Sequence, residues 1–153
     1  MLRRALPADD DHLLGHYRAM WRDNDVTDDD LENGWQNRFL AFLVHGRAEL
    51  ALRSFLIEID GRIVASASCQ KLVSPYPRIT RREFGKRGYI WGVYVEPDHR
   101  RCGLGKDLTQ TCLRHLREIG CDEAVLHTSP FGRSIYQGLG FVEGTEMVLD
   151  LRS

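Results

Sequence analysis

Seven consecutive residues carry the densest chemistry in this chain: Arg100, Arg101, Cys102, Gly103, Leu104, Gly105 and Lys106. Arginine forks and a lysine ammonium attract anions, and the arginines can bind phosphate oxygens in pairs. Glycine lacks a Cβ, so Gly103 and Gly105 let a ligand approach the backbone closely. The segment that this turn opens is helical in pattern. Leu104, Leu108, Cys112, Leu116 and Ile119 recur at helical spacing, and Gly120 closes the run. The first N–H groups of such a helix have no internal partner and its dipole is positive there, so a phosphate or pyrophosphate fits that end.

The elements that must hold this turn are legible around it. Tyr89 to Val95 is aromatic and β-branched, as a buried strand should be, and Pro97 ends it near Glu96. Strand, basic turn and helix therefore succeed one another directly. A nucleotide P-loop fails here, because Arg100 stands at its first glycine and Asp107 at its Ser/Thr. A dinucleotide fingerprint fails too: its third glycine position is Leu108, and no acidic residue closes a second strand downstream. The remaining pattern is R-x-x-G-x-G after a strand ending in Val-x-Pro, filled by Val95, Pro97, Arg100, Gly103 and Gly105.

That pattern resembles the acyl-coenzyme A binding motif of the GCN5-related N-acetyltransferase (GNAT) family. Ser134 to Phe141, SIYQGLGF, is similar to the family's second signature, an aromatic-bearing helix ending in Gly-Phe. The resemblance covers roughly residues 89–151; ahead of it only the order of elements matches. It implies an α/β fold with a mixed, mostly antiparallel sheet, flanking helices, and a splayed parallel strand pair at about 89–95 and 123–128. It also implies that the backbone of Val93, Tyr94 and Val95 pairs with pantetheine and offers an N–H to the thioester oxygen. Arg100 and the turn from Arg101 through Cys102, Gly103, Leu104 and Gly105 to Lys106 would then hold the cofactor's phosphates. Tyr136 matches the tyrosine whose hydroxyl protonates the leaving thiolate. Family members often carry an asparagine against the cofactor where this sequence has Ser129, and some place a carboxylate base where it has Ala124. Glu96, His127 or a chain of waters are the remaining candidates for the base.

The rest of the sequence agrees with one compact domain over residues 1–153. A chain of this length buries about 70% of its extended surface. A net charge of −1 argues against bulk affinity for nucleic acid or an anionic membrane. No apolar run approaches the ~20 residues of a membrane span. The opening MLRRALPADDDH lacks the apolar core of a signal peptide, so a cytoplasmic protein is expected. Cys69, Cys102, Cys112 and Cys121 form no C-x-x-C pair and read as reduced thiols.

Asp11 to Met20 and Leu31 to Leu52 read as helices. Asp60-Gly61 between Phe55–Ile59 and Ile63–Ala67 is a hairpin signal. Glu123 to Thr128 reads as a buried strand, parallel to 89–95 through a right-handed crossover, Arg133 to Leu139 as a short helix, and a last strand is expected after Phe141. His12 and His16 share a helix face, but HLLGH lacks the Glu of a zinc-protease helix, and no metal is expected. Asp23 to Gly34 mimics a calcium loop only in its first acidic positions, with Asp28 and Gly34 at the wrong places, and reads as a helix-capping loop. Arg78, Arg81, Arg82, Lys86 and Arg87 form a basic run between strands, by default a solvated loop.

The expected activity is transfer of the acetyl group of acetyl-coenzyme A to a primary amine, on a small molecule or a protein, by direct attack. An alkyl amine has a pKa near ~10.4, so a base must take its proton at neutral pH. The same resemblance implies that the acceptor meets residues 21–35 and 74–88; the acidic cluster Asp23, Asp25 and Asp28 to Asp30 lies in the first of these. Two rival readings stand: a non-catalytic acyl-coenzyme A sensing module, favoured if Trp35 or Phe39 plugs the acceptor groove, and an acyltransferase for longer chains. Self-association as a homodimer is left open.

Overall fold

The computed structural model describes residues 1–75, 77 and 86–152. Five strands form one sheet in sequence order: β1 Leu2–Arg4, β2 Arg53–Ile59, β3 Arg62–Lys71, β4 Arg87–Val95 and β5 Glu123–Val125. The first three junctions are antiparallel; β4 and β5 run parallel. The hairpin turns at Asp60 and Gly61, both left-handed (φ +50° and +74°), as a two-residue connection between twisted strands requires. Helices α1 (Asp10–Asp23) and α2 (Trp35–Glu49) precede the hairpin, α3 (Leu104–Glu118) makes the crossover from β4 to β5, and α4 (Arg133–Gly138) comes last.

Alternation along β2 divides the core. Phe55 and Ile57 join Cys69, Ile90, Leu108, Cys112 and Leu116 in the cluster under α3, while Leu56 joins Leu13, Phe39, Leu43 and Leu52 under α1 and α2. β3 lies in the middle of the sheet and is buried from Val64 to Gln70, so its serines need partners. Ser68 bonds Ser54 at 2.7 Å, and Ser66 bonds His16 Nδ1 at 2.9 Å.

Three expectations change. β1 pairs with β2 although no strand is expected there, because three residues are too short for a periodic pattern to show. The strand expected over 123–128 ends at Val125: the ladder with β4 holds only Arg87 with Glu123, Gly88 with Ala124 and Tyr89 with Val125, and His127 and Thr128 are exposed. No strand forms after Phe141 among the described residues. Met147, Val148, Leu149 and Leu151 are exposed there, and a segment without a ladder partner gains neither the hydrogen bonds nor the burial that hold a strand. Of the basic run, Arg78, Arg81 and Arg82 lie outside the described residues, while Arg87 pairs with Glu123 at 2.8 Å.

Two buried histidines give the fold a pH dependence. Burial lowers both His16 and His115 below the usual 6.5. His115 Nε2–H donates to Ala51 O at 2.9 Å, which leaves the buried Nδ1 without a hydrogen-bond partner, 3.9 Å from Glu118 Oε2. In the unfolded chain both rings protonate near 6.5; in the folded chain they resist protonation until a lower pH. Stability should therefore be fully present above about pH 6.5 and fall as the pH drops towards the folded values. Melting temperatures from about pH 8 to about pH 5 measure this, and His16→Gln should flatten the profile. An unchanged slope in that variant would remove His16 from the account.

Candidate active site

Beyond Tyr89 and Val125 the parallel strands part, so β4 from Ile90 to Val95 has no strand on that side. Within this stretch β4 carries a bulge. Ser66 faces Tyr94 and Ser68 faces Trp91, so two β3 steps match three on β4, and Gly92 takes up the excess at φ +62°. A left-handed glycine lets a bulge form without strain and turns nearby backbone groups out of the ladder. Val93 comes next in the chain and lines the cavity between the parted strands. Sequence reasoning missed Gly92; its signal was a glycine in the middle of an otherwise apolar strand.

Across the gap stand Leu126, His127, Thr128 and Ser129, with Tyr136 behind them on α4. The Tyr136 ring lies edge-on to Phe141 at 5.9 Å, and a Cβ on Gly132 would come within 2.8 Å of it. Burial pushes its hydroxyl above the ordinary phenol value, so it stays a proton donor at neutral pH. His127 Nδ1 and the Tyr89 hydroxyl are hydrogen-bonded at the cavity wall. Glu96 faces His16 Nε2 at 3.5 Å instead and does not line the cavity.

The basic turn begins where β4 ends. Arg101 (φ +62°) and Gly103 (φ +82°) are left-handed, and the first helical bond of α3 is Asp107 N–H to Gly103 O at 3.1 Å. The N–H groups of Leu104, Gly105 and Lys106 precede that bond and are free for an anion. A Cβ on Gly105 would lie 3.6 Å from Ile135 Cδ1 and 3.9 Å from Val95 Cγ2, which places the cradle against both β4 and α4. The side chains of Arg101 and Lys106 make no hydrogen bond or ion pair among the described residues and carry their charge into solvent. A chain ending in phosphates fits this surface: turn for the anion, open β4 edge for an amide-bearing arm.

Arg100 points elsewhere. Its Nη2 donates to Asp23 Oδ2 at 2.6 Å, its Nε to Val95 O at 2.9 Å, and the guanidinium stacks on Tyr94 at 5.6 Å. It ties the end of α1 to the turn. Two other acidic residues near Asp23 are likewise engaged: Asp28 binds Arg18 at 3.0 Å, and Asp30 caps Thr27 at 2.8 Å. Gly34 caps α2, so this stretch is the capping loop its sequence suggested.

A family model described as the acetyltransferase (GNAT) family matches residues 9–141. The chain belongs to that family. It is thereby an acyltransferase by descent. Glucosamine 6-phosphate N-acetyltransferase of Trypanosoma brucei brucei is 36% identical over 108 residues, 69% of each chain. Among solved structures, a GCN5-related N-acetyltransferase from Ralstonia eutropha JMP134 superposes with a TM-score of 0.84 at 27% identity, covering 100% of this chain and 99% of that one. A predicted acetyltransferase from Clostridium acetobutylicum, solved with acetyl-CoA, gives 0.85 at 21% identity over 99% and 96% of the two chains, which speaks to fold alone. The mixed sheet with its parallel β4–β5 pair and flanking helices is the GNAT fold.

Proposed function

We propose that this protein transfers the acetyl group of acetyl-coenzyme A to a primary amine by direct attack. The observation that carries the reading is the parting of β4 from β5 immediately beside the free N-terminus of α3. When bound, acetyl-coenzyme A supplies a thioester carbonyl open to attack and a thiol that leaves. Arg101, Cys102, Gly103, Leu104, Gly105 and Lys106 hold the pyrophosphate through backbone N–H groups and two cations, and Ser129 hydrogen-bonds the arm from across the gap. Val93 offers its N–H beside the bulge to the carbonyl oxygen, with Tyr94 and Val95 continuing the edge along the arm. Arg100 acts as a strut rather than a phosphate ligand.

Proton movement assigns the remaining roles. As the N–C bond forms and the C–S bond breaks, the amine proton must leave and the sulfur must gain one. With His127 Nδ1–H donating to the Tyr89 oxygen, Nε2 is an acceptor at the cavity wall and takes the amine proton, directly or through water. The Tyr136 hydroxyl gives its proton to the sulfur.

A sensing role fits less well. Trp35 and Phe39 form part of the wall of an open cavity of about 890 Å³ instead of filling it. A cytoplasmic location belongs to the same proposal, since the free thiols suit a reducing compartment and no helix among the described residues is long and apolar enough to cross a membrane. Calorimetry with acetyl-coenzyme A, and then a panel of amines with detection of the released thiol, tests the reading. Binding with turnover is expected. Binding without turnover of any amine would favour the sensor, and no binding would end both.

A further inference from the structure

The cavity has an unusual wall on its acceptor side. Tyr17, Trp21, Trp35, Phe39, Phe42 and Trp91 line it, drawn from α1, α2 and β4. They include all three tryptophans of the chain. Trp91 is at the centre: Tyr17 meets it edge-on at 5.8 Å and 88°, and Phe42 at 5.5 Å and 79°. Gln70 Oε1 accepts from its indole N–H at 3.2 Å and fixes the ring. Phe42 and Trp21 remain 44% and 40% exposed at the rim.

Charge inside the cavity is already matched. Among the described residues, the charged ones that line it are Arg18 and Arg38. Arg18 is held by Asp28 and by Val26 O at 3.0 Å, and Arg38 by Glu32 at 2.5 Å. Among the described residues, no carboxylate lines the cavity to receive the several ammonium groups of a polyamine or aminosugar. Both cations that line it, among the described residues, already have a carboxylate partner. Aromatic faces at right angles instead bury flat or alkyl groups, and they attract a single ammonium through their π-clouds.

From this wall we infer that the acceptor is an amine whose nitrogen is carried on an apolar body, aromatic or alkyl. The inference rests on the acetyl transfer proposed above and adds its substrate class. Phe42 and Trp91 grip the body, and the amine projects past Tyr89 towards His127 and the bulge. Such an acceptor differs in kind from the sugar phosphate that names the trypanosomal relative.

The test uses the full chain with acetyl-coenzyme A and detection of released thiol. Phenylethylamine and tryptamine should exceed glucosamine 6-phosphate and spermidine by roughly 100-fold in kcat/KM. Phe42→Ala should raise KM for phenylethylamine about tenfold with little change in kcat, because it removes binding that ground and transition states share. Tryptophan fluorescence gives a readout independent of turnover, since every tryptophan borders the cavity: phenylethylamine should perturb it and glucosamine 6-phosphate should not. Preference for glucosamine 6-phosphate or spermidine, or an unchanged KM in Phe42→Ala, would overturn the inference and leave acetyl transfer standing. Absence of acetyl-coenzyme A binding by calorimetry would instead bring down the underlying reading. If no amine turns over, a fluorescence response to phenylethylamine upholds the inferred class and its absence overturns it.

Discussion

Tyr136→Phe should lower kcat by roughly 10- to 100-fold while leaving the melting temperature and acetyl-coenzyme A affinity close to wild type. The ring carries the packing. It fills the space beside Gly132 and meets Phe141, and phenylalanine keeps every one of those contacts. Only the hydroxyl is lost, and with it the donor held protonated by burial. The effect stays at the low end of general-acid catalysis because a thiolate leaves fairly well unaided. Measured with an accepted amine where chemistry limits the rate, turnover within about twofold of wild type would assign Tyr136 to packing alone.

A methyl group at position 105 should weaken acetyl-coenzyme A binding by about tenfold, ~1.4 kcal/mol, without harming the fold. Gly105 lies in the first turn of α3, where alanine is the better helix former by up to ~1 kcal/mol. Its Cβ would meet Ile135 and Val95 at ordinary contact distances, so the protein accommodates it. On the proposed function the ligand's phosphates would not, since they need that backbone close. Gly103 is a poorer test: at φ +82° any side chain is strained, and lost binding would mix with lost stability. Calorimetry on Gly105→Ala, with a melting curve as control, separates the two. An unchanged dissociation constant would remove the pyrophosphate from this turn.

What the sequence revealed was local. The Asp60-Gly61 hairpin, the crossover helix and the capping loop each rest on neighbours in the chain, and each stands where its residues suggested. Features built from distant segments stayed hidden. The engagement of Arg100 depends on Asp23, on a different helix, so the motif position alone could not reveal that its guanidinium is committed. The aromatic wall joins residues from three segments, and no spacing rule connects Tyr17 with Phe42 and Trp91. The strand expected after Phe141 rested on the turn before it and the resemblance, and neither says whether an edge is there to receive the segment.

Helix α1 carries parts of two sites on one rod. Tyr17 and Trp21 stand in the aromatic wall, while Asp23, at the end of the same 14-residue helix, grips Arg100 beside the basic glycine turn. A short helix shifts as a rigid body, so any adjustment of the turn around pyrophosphate moves the wall with it. By linkage, whatever factor the nucleotide adds to amine affinity, the amine adds to nucleotide affinity. Cutting the tie with Asp23→Asn should reduce both by that one shared factor, so that the two substrates bind as strangers.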